Sequence, residues 1–282
     1  MAVRPSDPVS RLLAQAAARL GEEGRSEAEL LLAHALDRPR AWLFAHADDA
    51  LDEEPAARFE AFVARRERGE PVAQILGRKA FWSFDLRVTP DVLIPRAETE
   101  LLVDCMLDVL PRGEPALVAD LGTGSGAIAL AIASERPLVE VVAVDTSAEA
   151  LAVARSNAQA LGLSARVHCV RGHWFGPRGQ RRFRAIASNP PYIAEGDPHL
   201  DEGDLRFEPR IALTSGADGL DAIRTIVADA PGHLAPGGWL MLEHGWNQGP
   251  AVRALLTAAG FAEVATHRDL EARERVSCGR FG

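Results

Sequence analysis

The sequence predicts an α/β protein in three stretches: a small N-terminal helical bundle over residues 1–70, a β-hairpin linker over 71–95, and a parallel, helix-covered sheet over 96–282. Three observations carry this. Up to about residue 70 the apolar residues recur at helical spacing. From Leu117 onward they gather in short β-branched runs that alternate with amphipathic segments, the pattern of a parallel sheet wrapped by helices. And 47% of the 282 residues are apolar, enough for a sizeable core. Disordered chains, collagens and minimal disulfide scaffolds are excluded by the same composition.

In the bundle, Leu12, Leu13, Ala16, Ala17 and Leu20 fall on one helical face, and Gly21 and Gly24 interrupt it. Ser26 followed by Glu29 has capping-box spacing and predicts the start of a second helix carrying Ala28, Leu31, Leu32 and Ala35. Pro39 ends that helix and begins a third with Trp42, Leu43 and Phe44. Pro55 begins a fourth, with Phe59, Phe62 and Val63 inward and Arg65, Arg66 and Arg68 outward. Between 71 and 94, Phe81, Phe84, Leu86 and Val88 among polar residues predict the hairpin. Beyond it, strands are predicted near 117–120, 140–144, 166–171, 184–188, 237–243, 261–266 and 275–280, and helices near 127–134, 148–161, 218–229 and 249–259.

Charge narrows the partners. Forty acidic residues against 31 basic ones leave −9, which argues against a nonspecific polyanion binder with a broad basic face. The one dense cationic run, Arg178 to Arg184, reads as a solvated loop. Cys105, Cys169 and Cys278 have no paired spacing, so they read as reduced thiols rather than disulfides or zinc ligands. Neither the eight histidines nor the acidic loop Asp201, Glu202 and Asp204 suggests a metal site. With no signal peptide and no membrane-length apolar run, a cytoplasmic, monomeric protein is expected.

The first strand of the sheet runs into Asp120-Leu121-Gly122-Thr123-Gly124-Ser125-Gly126, followed at once by a helix. Such a loop turns tightly and lets a ligand approach where a Cβ would collide. The second strand ends at Asp145, placed to accept hydrogen bonds from ribose hydroxyls at a neighbouring strand end. Gly122, Gly124 and Ala127 fit a dinucleotide loop as well as a methyl-donor loop, and a plain tight turn also satisfies them. Trp174 and Phe175, after the third strand, suit packing against a purine or ordinary core packing. The fourth strand decides between these readings. It ends in Asn189-Pro190-Pro191-Tyr192, where two prolines hold the carbonyls of Asn189 and Pro190 in fixed directions. The Asn189 side-chain oxygen and the Pro190 carbonyl then offer two acceptors for the two hydrogens of a planar NH2 group, with Tyr192, the single tyrosine, as a flat wall. Holding both hydrogens draws electron density onto a poor amide nucleophile and aims it at an electrophilic methyl.

On these motifs the sequence resembles the release-factor glutamine methyltransferases of the HemK/PrmC type. The likeness extends through Gly69-Glu70-Pro71-Val72-Ala73, Phe81-Trp82, Leu93-Ile94-Pro95-Arg96, Glu98-Thr99-Glu100, Pro209-Arg210, Asp218-Gly219-Leu220 and Leu242-Glu243-His244-Gly245. It implies a seven-stranded Rossmann-like class I S-adenosylmethionine-dependent domain behind a helical substrate-recognition domain. It further implies methylation of the glutamine side-chain nitrogen in the Gly-Gly-Gln tip of class-1 peptide chain release factors. By the same resemblance Gly122, Thr123, Gly124, Ser125, Gly126, Asp145, Trp174 and Asn189 contact the cofactor, and Asn189, Pro190, Pro191 and Tyr192 the glutamine. Arg96 and Glu98 to Glu100 are expected near the methionine end. Departures from the family pattern stand at Ala97, at His173 and at Glu271-Ala272-Arg273, where proline, an acidic residue and a glycine-containing turn are common. The alternative is amino-methylation of adenine or cytosine in nucleic acid, whose bases present the same conjugated NH2 to an Asn-Pro-Pro-Tyr site.

Overall fold

Helices α1 (Val9–Leu20), α2 (Gly24–Leu36), α3 (Arg40–Ala45), α4 (Glu53–Glu67) and α5 (Val72–Leu76) build the first of two units in a computed structural model that describes residues 7–175 and 182–282. Their shared core holds Leu12, Leu13, Leu31, Leu32, Phe59 and Val63, the helical faces that the spacing predicts. α2 begins two residues earlier than its capping-box pattern suggests. Gly24 starts the helix because a Cβ there would stand 2.4 Å from the Ala17 carbonyl oxygen, so the crossing with α1 needs a bare backbone. Ser26 therefore lies inside the first turn and caps nothing. Glu29 is buried instead, where Arg25 (2.7 Å) and Arg40 (2.5 Å) pair with it.

Arg66, expected to face outward, bonds Glu27 (2.9 Å) and Asp204 (2.9 Å). The latter contact exists because residues Asp201–Phe207, read as a plain acidic loop, pack with this unit, where Gln74 Nε2 also donates to the Phe207 carbonyl at 3.1 Å. The stretch before the hairpin is likewise not extended. Pro71 precedes the short helix α5, and Gly77 (φ +67°) ends it.

The second unit comprises Arg78–Leu200 and Glu208–Gly282. Hairpin β1 (Arg78–Phe81) and β2 (Phe84–Arg87) belongs to it, burying Phe81 and Leu86 in one of its two cores. Helix α6 (Thr99–Val109), which the sequence reading did not place, packs Leu102 and Met106 into the same core. Strands β3 (Ala116–Leu121), β4 (Val139–Asp145), β5 (Val167–Arg171), β6 (Phe183–Ser188), β7 (Leu234–Glu243), β8 (Ala262–Arg268) and β9 (Glu274–Arg280) form a seven-stranded sheet in the order β5-β4-β3-β6-β7-β9-β8. The five strands from β5 to β7 run parallel, and β9 is antiparallel to both β7 and β8. Helices α7 (Ala127–Glu135), α8 (Ala148–Ala160), α9 (Asp221–Asp229) and α10 (Gly249–Ala258) cover it. Successive residues of β4 alternate between the cores, Val141 and Ala143 in one, Val142 and Val144 in the other. Burial on both faces explains why these strands read as nearly continuous apolar runs. The three cysteines are unpaired, as expected. Among the described residues no helix is long and apolar enough to cross a membrane, and no group of side chains could hold a metal ion.

The connection from β8 to β9 carries one of the departures from the family pattern. Asp269 Oδ1 accepts the amides of Glu271 (3.0 Å) and Arg273 (2.9 Å), and Ala272 is held at φ +60°. That conformation costs an L-residue about 1–2 kcal/mol, whereas glycine loses about 0.5–1 kcal/mol in chain entropy. Ala272→Gly should therefore stabilise the protein by about 0.5–1 kcal/mol, read as a raised urea midpoint at unchanged slope. A lower midpoint would contradict the strain.

Candidate active site

Parallel pairing sets Leu121 opposite Val144 on one side and opposite Ser188 on the other, so the turns after β3, β4 and β6 lie together at the carboxyl edge of the sheet. The chain runs outward from β3 to β4 and β5, then returns to β6. The β3/β6 boundary is thus where the strand order reverses, the place at which open α/β sheets take ligands. Ser188 Oγ donates to the Leu121 carbonyl at 2.6 Å and ties the two strand ends. A cleft of about 350 Å³ opens above them. It is lined by Gly122, Gly124, Asp145, Trp174, Asn189 and Pro191, together with residues of the 91–93 and 209–215 segments.

The glycine loop is fixed from below. Both Gly122 N (2.8 Å) and Thr123 N (2.9 Å) donate to the Val144 carbonyl, while Gly122, Gly124 and Gly126 take φ of +74°, +54° and +87°. Those angles, rather than lack of space, require glycine at 122 and 124, since a Cβ would meet nothing closer than Trp174 at 3.5 Å. Thr123 Oγ1 and the Ala129 amide donate to Asp120 Oδ2 at 2.6 and 3.2 Å. Asp120 Oδ1 is buried without a partner, and burial pushes the carboxyl up to about 7. From the other side Asn157 Nδ2 donates to the carbonyls of Ser125 (2.9 Å) and Arg87 (3.1 Å), and its Oδ1 accepts Arg87 N at 2.8 Å.

Asp145 presents a carboxylate at the cleft with its two oxygens each engaged once, by Gly124 N and Ser147 N, both at 2.9 Å. A carboxylate has about four lone-pair positions, so acceptor capacity remains for a diol. A sharp glycine turn, a carboxylate with spare acceptors and the Trp174 ring against Gly122 make a donor and acceptor set that fits a nucleoside. Phe175, by contrast, is core: it is buried and stacks on His233 at 4.3 Å between ring centres. His173 lines the cleft beside Trp174.

At the β6 end, Asn189 Nδ2 donates to Thr99 Oγ1 at 3.1 Å, which leaves Oδ1 as the acceptor for the cleft. The tetrapeptide backbone is clamped by Gln248, whose Nε2 donates to the carbonyls of Tyr192 (3.0 Å) and Asp218 (3.2 Å). Gly219 lies so close that a Cβ would stand 2.2 Å from the Tyr192 oxygen. Tyr192 is not among the lining residues; its hydroxyl lies 3.5 Å from Glu243 Oε1, and burial pushes the phenol upward. Thr123, Ser125, Gly126 and Pro190 are likewise not among the lining residues, although each adjoins one that is. Glu243 is buried with Oε2 unpartnered, and burial pushes it up to about 7 against the opposing influence of Thr99 and Arg275.

The 96–100 segment is anchored by its own contacts. Arg96 pairs with buried Glu208 at 2.6 Å, and the same carboxylate accepts Ile94 N at 3.0 Å, joining the two segments that wall the cleft. Glu100 accepts Trp82 N at 2.8 Å. Only Thr99 reaches a predicted site residue. Sequence reasoning missed Thr99 in that role, as well as Asn157 and Gln248, because each joins segments 30 to 90 positions apart in the chain; the apolar spacing of Leu102, Met106 and Leu110 was the available signal for α6. In the basic run, Arg178 and Arg181 lie outside the described residues, and Arg182 is spent on its own fold, donating to the Gly232 carbonyl at 2.7 Å.

Asp120 yields a pH prediction. Its folded pKa lies above the unfolded value, so the native state binds more protons, and stability that is complete below about pH 4 is lost as pH rises through 7. Urea unfolding of wild type and Asp120→Asn between pH 4.5 and 7.5 should show a smaller downward slope in the variant. Identical slopes would rule out Asp120 as a source.

Two family models match the chain: the PrmC N-terminal domain over residues 11–77 and the methyltransferase small domain over residues 97–202. Among curated relatives, the release factor glutamine methyltransferase of Xylella fastidiosa is 56% identical over 95% of this chain and 96% of its own. That of Pseudomonas aeruginosa is 55% identical over 91% and 92%, and that of Escherichia coli 45% over 92% and 93%. Solved structures share the fold at low identity. A methyltransferase from Pyrococcus furiosus superposes with a TM-score of 0.54 at 19% identity over 78% of this chain and 97% of that one. A 16S rRNA methyltransferase of T. thermophilus, solved with AdoMet and guanosine, gives 0.55 at 20% over 73% and 50%.

Proposed function

The chain belongs to the release factor glutamine methyltransferase family, and from that premise we propose that it methylates N5 of the glutamine in the Gly-Gly-Gln tip of class-1 peptide chain release factors, with S-adenosylmethionine as donor. The observation that carries this reading is the juxtaposition of an Asn189 amide, hydrogen-bonded to Thr99, with a cleft lined by the glycine loop, Asp145 and Trp174 at one switch point. When bound, the cofactor supplies an electrophilic methyl on a sulfonium. Asp145 accepts the ribose hydroxyls, the loop from Gly122 through Thr123, Gly124 and Ser125 to Gly126 admits the donor's closest approach, and Trp174 packs on the adenine.

Asn189 Oδ1 and the Pro190 carbonyl each accept one hydrogen of the glutamine NH2. This holds the nitrogen in line with the methyl and favours the build-up of positive charge on it. Pro191 fixes the Pro190 carbonyl, and Tyr192 packs behind it. As the nitrogen takes the methyl, the S–CH3 bond breaks to leave a neutral thioether, and the nitrogen gives up one of its two hydrogens as a proton to water, so no strongly basic side chain is needed there. The N-terminal unit is proposed to recognise the body of the protein substrate, in a cytoplasmic setting where release factors act.

Asn189→Ala deletes one acceptor. It should leave cofactor affinity within about threefold while turnover falls about 10²–10³-fold, the usual cost of one such hydrogen-bonding group. Mass spectrometry of a purified release factor after incubation with labelled S-adenosylmethionine reads this, with DNA and RNA run alongside. Wild-type turnover in the variant, or label on nucleic acid alone, would reject the assignment. For the N-terminal unit, intact release factor should be methylated with a kcat/KM at least about tenfold that of a short Gly-Gly-Gln peptide, since remote binding energy contributes to the reaction. Equal values would show that recognition ends at the tip.

A further inference from the structure

We propose that Thr99 and Glu243 are positioning residues for this reaction: the buried Glu243 carboxylate directs the Thr99 hydroxyl, and that hydroxyl fixes the Asn189 amide with its oxygen toward the substrate. The inference rests on the function proposed above and adds two residues that are not among those lining the cleft. Its basis is the direction of the Asn189–Thr99 hydrogen bond and the buried acid beside it. Thr99 opens α6 and is 4% exposed; Glu243 ends β7 and is 1% exposed. A hydroxyl has one proton. Because Thr99 Oγ1 accepts from Asn189 Nδ2 at 3.1 Å, its own proton is free to turn toward the buried Glu243 carboxylate, whose ionised form Thr99 favours.

Direction matters more at Asn189 than shape. An asparagine amide is nearly symmetrical in outline but not in charge, and a flipped Asn189 would offer two donors to a substrate group that itself brings two donors. Nothing else described holds the Nδ2 end. A purely structural role for Glu243 fits poorly, since one carboxylate oxygen lies buried without a partner and the Tyr192 hydroxyl is distant at 3.5 Å. Arg275 on β9 is shared with Asp269, at 3.3 Å, and Glu98 at the start of α6 opposes ionisation. The acid is thus held where its ionised form is costly and where hydroxyl donors are its company.

Ionised Glu243 is the stronger acceptor, so the grip on Thr99 tightens as pH rises through about 7. The groups facing it are Glu98 and Thr99 from α6, Tyr192 from the turn after β6, and Arg275 from β9.

The test compares Thr99→Val, which keeps the shape and removes the hydroxyl, with Thr99→Ser, which restores it. The chain has three asparagines, Asn157, Asn189 and Asn247, so selective 15N labelling isolates the Asn189 side-chain amide by NMR. Expected are slow exchange of one Asn189 amide proton in wild type and Thr99→Ser, and exchange at least about tenfold faster in Thr99→Val. Turnover on release factor should fall at least about tenfold in Thr99→Val at unchanged cofactor Kd, and remain within about threefold in Thr99→Ser. The rise of kcat through pH 7 should flatten in Glu243→Gln. Equal exchange in wild type and Thr99→Val overturns the proposal, as does a serine variant no better than the valine one or a Glu243→Gln profile identical to wild type. Should wild type leave release factor unmodified, the functional reading fails, while the exchange comparison still decides the fate of the Thr99 contact.

Discussion

Parallel pairing of β3 with β6 is the constraint on which the site depends. Each strand ends in a turn that would have no functional meaning alone: a glycine loop after Leu121, a proline-braced loop after Ser188. Their register, reinforced by the Ser188 hydroxyl on the Leu121 carbonyl, decides that these turns share one crevice. Because the sheet is covered on both faces, its apolar cores set strand position to within one residue; a slip would turn Val141 and Ala143 toward the wrong layer. Precision at the carboxyl edge is therefore inherited from packing well below it.

Around that edge the protein concentrates its poorly satisfied polar groups. Asp120 and Glu243 are carboxylates within an otherwise hydrophobic interior, each with an oxygen that lacks a partner. Buried acids of this kind destabilise unless neutral or fully bonded. Asp120 lies under the glycine loop and Glu243 under the turn after β6, the two segments that must not move relative to one another. The cost in stability falls where rigidity is needed, a pattern common to functional sites.

Much of this was legible in the chain. The seven strands and four of the sheet's helices declare themselves as short β-branched runs and amphipathic segments between turn residues, and they lie within a few residues of their predicted bounds. Gly122, Gly124, Asp145, Trp174, Asn189 and Pro191 do meet around one cleft. What escaped depends on contacts made through space. Ser26 has the chemistry of a cap, but the closeness of Gly24 to α1 sets where the helix begins. Arg66 has the periodicity of a solvent face, yet Asp204, distant in sequence, draws it into an ion pair. Thr99 looks like one letter of a charged stretch until the fold brings Asn189 and Glu243 to it.

Asn157 links parts that no motif would join. One carboxamide in α8 satisfies both backbone groups of Arg87, at the end of the hairpin, and the carbonyl of Ser125 in the glycine loop. Hydrolysis of that amide to the acid would replace its donor with a negative oxygen facing two carbonyl oxygens. A single event of chemical ageing, at a residue outside the cleft lining, would thus loosen the loop that the site depends on.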